Sequence, residues 1–139
     1  MYERGHMFYL TTKIGFSAYH RLWNHSFSDQ ENTEIYQECS RGHGHNYILE
    51  VTVKGEANAT TGIVMDLKRL NRLLMTEIFP WVDHKNLNDD VPFLKGKIPT
   101  AELVSACCWD ILKDKIKDAK LYRLKLFESE KNIVEYYGD

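Results

Sequence analysis

The apolar residues of this chain change period twice along its length, and that change restricts the folds open to it. From Phe8 to Phe16 the even positions Phe8, Leu10, Ile14 and Phe16 are apolar around Thr12, the alternation of a half-buried strand. From His45 to Val53 the odd positions Tyr47, Leu49, Val51 and Val53 repeat it. The spacing then becomes helical: Leu67, Leu70, Leu73, Leu74 and Ile78 predict one helix, with Asp66 as N-cap and Pro80 as a stop. Thr100 caps a second, with Glu102 in its first turn, where the helix dipole favours an acid. That helix turns Leu103, Cys107, Ile111 and Leu112 toward the core. Strands return from Leu121 to Glu128 and from Asn132 to Tyr137, joined by Ser129-Glu130-Lys131. Two strands, two helices and two strands make an α+β protein, with a four-stranded antiparallel sheet and two helices on one face. Four strands leave two edges that must be shielded or paired with another subunit.

Composition narrows the partners. The 139 residues suit one domain, 1–139, and no linker, repeat or low-complexity tract divides them. A net charge of −2 offers no general attraction to nucleic acid or anionic lipid, so neither is expected as a partner. No apolar run approaches the roughly 20 residues of a membrane span. Glu3, Arg4 and His6 are unlike the start of a signal peptide. The odd set Cys39, Cys107 and Cys108 reads as free thiols, which makes the cytoplasm the expected location. Cys107 and Cys108, on the apolar side of the second helix, read as small core hydrophobes.

The chemistry gathers around the long polar stretch Asn24–Glu38 between the first two strands, which reads as a loop. Gly42-His43-Gly44-His45 opens the second strand, and residues two apart on a strand share a face. His20 ends the first strand in the parity of Phe16 and can face the same point. Three neutral imidazoles with an open fourth position would make a catalytic zinc site; a His-x-His pair also fits a plain surface strand. Cys39 stands in polar company beside Glu38, Ser40 and Arg41, where a thiol near cations becomes a base or nucleophile. Asp83-His84 follows the first helix and reads equally as a turn. Glu128 shares the parity of Leu124 and Leu126, so it is either a satisfied structural acid or an anchor for paired N–H donors of a ligand.

Taken together, Phe16–Leu22, Cys39–Tyr47, Gly62–Leu67, Asp83–Asn88, Pro99–Glu102 and Glu128 before Asn132-Ile133-Val134 resemble the 6-pyruvoyl- and 6-carboxytetrahydropterin synthase family over nearly the whole chain. The resemblance implies that His20, His43 and His45 hold Zn2+, and that Cys39 is the catalytic thiol. It implies that Asp83 and His84 work with that thiol from a neighbouring subunit, and that Glu128, with Thr100 and Glu102, grips the pterin ring. It further implies the tunnelling fold, in which subunits join their sheets into a barrel, as a homohexamer of two trimers. The implied substrate is the pterin triphosphate 7,8-dihydroneopterin triphosphate.

Two products are open to such an enzyme. The short spacing Cys39-Ser40-Arg41-Gly42-His43 resembles the carboxy synthases of the queuosine pathway. On that spacing the expected reaction yields 6-carboxy-5,6,7,8-tetrahydropterin, with loss of triphosphate and acetaldehyde. Gly44-His45-Asn46-Tyr47 and Val91-Pro92-Phe93 resemble the pyruvoyl enzymes, which eliminate triphosphate alone. A non-catalytic zinc- or pterin-binding assembly module would show a broken catalytic set, whereas Cys39, Asp83 and His84 are all present.

Overall fold

A computed structural model describes residues 5–139; Glu3 and Arg4, used above in reading the N-terminus, lie outside the described residues. The sheet is built around two 14-residue strands, β1 (Met7–His20) and β2 (His43–Glu56), paired antiparallel from Met7↔Glu56 to His20↔His43. Both run further than the apolar alternation: β1 continues through the buried Ala18 and His20, and β2 continues past Val53, its last buried residue. The segment between them is not all loop. Asp29–Tyr36 forms α1, where Ser28 accepts from the Glu31 N–H and the Glu31 carboxylate accepts from the Ser28 N–H. This helix buries Asn32 rather than an apolar face. The Asn32 amide accepts from the Asn24 N–H at 2.8 Å and donates to the Asn24 and Ser28 carbonyls. A polar residue thus fixes a segment whose hydropathy carries no helical period.

After β2 come α2 (Leu67–Glu77), α3 (Phe79–Val82) and the two-residue β3 (Lys85–Asn86). Then follow α4 (Ala101–Leu112), β4 (Lys120–Phe127) and β5 (Ile133–Tyr136). Asp66 caps α2 and Thr100 caps α4, as their positions require. Pro80 both limits α2 and sits in the first turn of α3, where its missing N–H has no helical partner to lose. Among the described residues the sheet has five strands, in the order β3-β1-β2-β4-β5, not the four expected. The fifth, β3, pairs parallel with Ala18 and Tyr19 and is too short to show any periodicity.

One face of the sheet is the core. Ile14, Phe16 and Ala18 of β1, Tyr47, Leu49, Val51 and Val53 of β2, and Leu121, Leu124 and Leu126 of β4 are all buried, packed with Leu70, Leu74, Ile78 and Leu112 of the helical segments. β4 reaches this arrangement through a bulge: Thr52 pairs with Arg123 and Val53 with Leu121, so Tyr122 is an extra residue. Leu121 and Leu124, three apart, therefore both point inward, and Glu128 follows Leu124 and Leu126 to that side. Cys107 and Cys108 are buried as the helical pattern predicts, and burial pushes the Cys108 thiol up to about 12. No helix among the described residues is long and apolar enough to cross a membrane.

Leu49 is fully buried whereas its neighbour Ile48 is exposed. Leu49→Ala should lower unfolding free energy in urea by about 2–5 kcal/mol. Ile48→Ala should cost less than about 1 kcal/mol. Equal costs would contradict the assignment of the two faces.

Candidate metal and substrate site

The three histidines meet at the end of the β1–β2 pair. His20 stands opposite His43, and His45 lies two residues further along β2, opposite Ala18. Their ring centroids are 4.7, 4.9 and 5.2 Å apart, and one ligand nitrogen from each lies within 4.8 Å of the other two. Nδ1 of His20 donates to the Pro99 carbonyl at 2.8 Å, and Nδ1 of His43 donates to the Arg41 carbonyl at 2.7 Å. A carbonyl only accepts, so both Nδ1 atoms carry the proton and both Nε2 atoms present a lone pair.

Nε2 of His20 and of His45 are buried with no hydrogen-bond partner among the described residues. Bare buried acceptors are costly, and a cation between them removes that cost. The three-imidazole donor set therefore fits a metal ion that takes nitrogen ligands. Burial holds His20 below its ordinary value of 6.5, reinforced by His43 and His45 and opposed by the Pro99 bond and by Glu128. Burial lowers His45 in the same way.

Tyr47, read from sequence only as core, also floors this cluster. Its ring stacks on Phe16 at 4.9 Å and meets the rings of His45 and His20 edge-on. Burial, with the Glu128 charge adding to it, raises the phenol's pKa and keeps it protonated. Gly42 lies against the Tyr19 ring, so that a Cβ there would displace the phenol.

Glu128 extends from the end of β4 toward the imidazoles, 3.8 Å from Nε2 of His20 and 4.0 Å from Nε2 of His45. With Thr100 and Glu102 it lines a cavity of about 430 Å³ between the start of α4 and the β4–β5 turn. These three expected ligand-gripping residues are thus together.

Asp83 and His84 lie elsewhere. Asp83 Oδ1 accepts from the Ser17 N–H at 3.1 Å and Oδ2 accepts from Nδ1 of His84 at 2.8 Å. Those two bonds, the backbone one first, hold its carboxyl below the usual carboxylate range. His84 takes a backbone φ of 58°, uncommon for a residue other than glycine, and its N–H donates to Ser17 O at 2.6 Å. Its ring is 82% exposed and borders a second cavity of about 450 Å³, which His45 and Asn46 also line. Cys39 is exposed in the 3₁₀ turn Gln37–Ser40, and its carbonyl accepts from Leu22 N–H at 2.7 Å. The Cys39 side chain lines neither of these cavities.

The sequence matches the 6-pyruvoyl tetrahydropterin synthase family profile over residues 9–139. The chain belongs to the 6-pyruvoyl tetrahydropterin synthase family. It is 42% identical over 130 residues to the 6-pyruvoyl tetrahydrobiopterin synthase of Dictyostelium discoideum, covering 94% of this chain and 96% of that one. It is 40% identical over 132 residues to the Homo sapiens protein of the same name, covering 94% and 91%. The 6-carboxy-5,6,7,8-tetrahydropterin synthase of Aquifex aeolicus is 28% identical over 150 residues, covering 87% and 92%. The structure of Caenorhabditis elegans 6-pyruvoyl tetrahydropterin synthase superposes with a TM-score of 0.91 at 36% identity, covering both chains entirely. That of the Plasmodium falciparum protein, at 16% identity and a TM-score of 0.69, shares the fold.

The buried imidazoles of this family member give metal-free protein a definite pH response. Unfolded His20 titrates near its ordinary value while folded His20 titrates lower, so between the two values the unfolded chain binds more protons. Stability is full above about pH 6.5 and falls as pH drops through the folded value. The denaturation midpoint of metal-free wild type should fall more steeply with acid than that of His20→Asn. Parallel profiles would remove His20 as the cause.

Proposed function

We propose that the chain is a zinc-dependent 6-pyruvoyl tetrahydropterin synthase that acts on 7,8-dihydroneopterin triphosphate and eliminates triphosphate. The observation that carries the proposal is the meeting of three imidazoles, each with a ligand nitrogen within 4.8 Å of the other two, beside Glu128, with the Nε2 atoms of His20 and His45 buried and bare. For the product, identity over the whole chain outweighs the short Cys39–His43 spacing that favoured the carboxy reaction. The relatives named as pyruvoyl enzymes are 38–42% identical, against 28–30% for those named as carboxy synthases.

Held by His20, His43 and His45, zinc would supply Lewis acidity to the side-chain oxygens of the substrate. Glu128 accepts hydrogen bonds from the N–H donors of the pterin ring, with Thr100 and Glu102 beside it, and so fixes where the side chain lies. Cys39 Sγ, as thiolate, takes a proton from a side-chain carbon. The electron pair left behind expels triphosphate as the C–O bond breaks. Asp83 keeps the proton on Nδ1 of His84, so His84 receives and returns protons at Nε2. The exposure of His84 favours its service to a neighbouring copy. The edge of β1 before Ser17, which has no strand partner within the described chain, favours lateral joining of sheets into trimers and a hexamer.

Incubation with 7,8-dihydroneopterin triphosphate and mass spectrometry of the pterin should show the 6-pyruvoyl product. A 6-carboxy product would reinstate the other reaction, and no turnover would favour a non-catalytic module. Cys39→Ala should keep zinc and pterin binding while losing about 10²–10⁴-fold in turnover. Near-normal turnover would place the base elsewhere.

A further inference from the structure

The end of β1 is laced to the segment after α3. Ser17 N–H donates to Asp83 Oδ1, His84 N–H to Ser17 O, and Leu87 N–H to Tyr19 O at 2.8 Å. At the far end of this ladder a side chain replaces the backbone. Asn88 accepts from Arg21 N–H through Oδ1 at 2.8 Å and donates through Nδ2 to Arg21 O at 2.9 Å. Its own N–H is held by Asn86 Oδ1 at 2.9 Å, which fixes the direction of the amide.

Arg21 lies between two residues that matter. Before it is His20, whose ring is buried in the imidazole cluster. After it is Leu22, whose N–H grips the Cys39 carbonyl. Both main-chain groups of Arg21 are thus tied, through Asn88, to the segment that carries Asp83 and His84. The imidazole, the thiol turn and the Asp83–His84 pair hang on one hydrogen-bonded frame, and Asn88 is its corner.

We infer that Asn88 is a positioning residue for the site: its amide holds Arg21 so that His20, Cys39 and the Asp83–His84 pair keep a fixed spacing. The inference rests on the proposed zinc site. An asparagine amide is suited to this, because it presents one donor and one acceptor side by side at the reach of a single side-chain carbon. Alanine removes both bonds and frees the chain on either side of Arg21. Aspartate keeps the acceptor for Arg21 N–H and loses the donor to Arg21 O. Outer groups that orient metal ligands commonly change metal affinity 10–100-fold when removed.

The test measures zinc affinity by chelator competition, kcat and KM, and amide hydrogen exchange of the metal-free protein. Asn88→Ala should bind zinc about tenfold more weakly. It should lose about tenfold in kcat with KM little changed, and should exchange the Arg21 and Leu22 amides faster. Asn88→Asp should fall between it and wild type. The control is Val53→Ala, a buried β2 residue near the opposite end of the strand, which should lower thermal stability while leaving zinc affinity and those two amides as in wild type. Asn88 variants that lose thermal stability yet bind zinc as wild type does would overturn the inference. If Asn88→Ala does not fold, Asn88→Asp is judged by the same criterion. Wild-type protein that takes up no zinc would overturn the metal site itself, and with it this inference.

Discussion

The site depends on the register of β1 against β2. In a strand, side chains alternate between faces, so a slip of one residue sends every one of them to the other side. The pairing His20↔His43 places two imidazoles directly across the ladder, and the parity of β2 adds His45. The same register puts Phe16 opposite Tyr47 and Ile14 opposite Leu49. Burial of these pairs holds the register, because the slipped alternative would expose the apolar set and bury Lys13 and Ser17. The histidines therefore need no separate device to bring them together. They occupy the last rungs of a ladder that the core has already fixed.

At those rungs the site draws on the chain around it for orientation. Pro99 turns the carbonyl that fixes His20, and the next residue, Thr100, caps α4. One short stretch thus starts a helix, orients an imidazole and forms a wall of the cavity that Glu128 enters. Burial suppresses protonation of His20 and His45, which favours the neutral imidazole that a metal ion requires. Glu128 opposes this in part, and its negative charge lies where a bound cation would offset it.

Much of this was legible from residue spacing. Parity alone placed His20, His43, His45 and Glu128 on one face, since the buried strands alternate strictly where those residues sit. The helices α2 and α4 showed through their period and their caps Asp66 and Thr100. What did not show had physical reasons. The helix α1 has no apolar face, and its signal was the reciprocal pair Ser28 and Glu31 rather than any period. The strand β3 is two residues long and exists because Ser17–Tyr19 offer it main-chain partners. The separation of Asp83 and His84 from the Glu128 cavity is a matter of tertiary path, which no local pattern carries. Local motifs point to both products, the Cys39–His43 spacing to one and Gly44–Tyr47 with Val91–Phe93 to the other, because a few residues carry less of the family relation than the whole chain does.

The bulge at Tyr122 has a consequence for changes in chain length. Because this residue is surplus to the pairing of β4 with β2, removing it leaves Leu121, Leu124, Leu126 and Glu128 all facing inward. A deletion or insertion of one residue between Arg123 and Phe127 would instead put the two halves of the strand out of phase and turn Glu128 away from the imidazoles. Tyr122 is thus the joint at which this strand tolerates a change of length. The loss there falls on its ring contacts with Tyr9 and Tyr137 on the other face, and the acid keeps its aim.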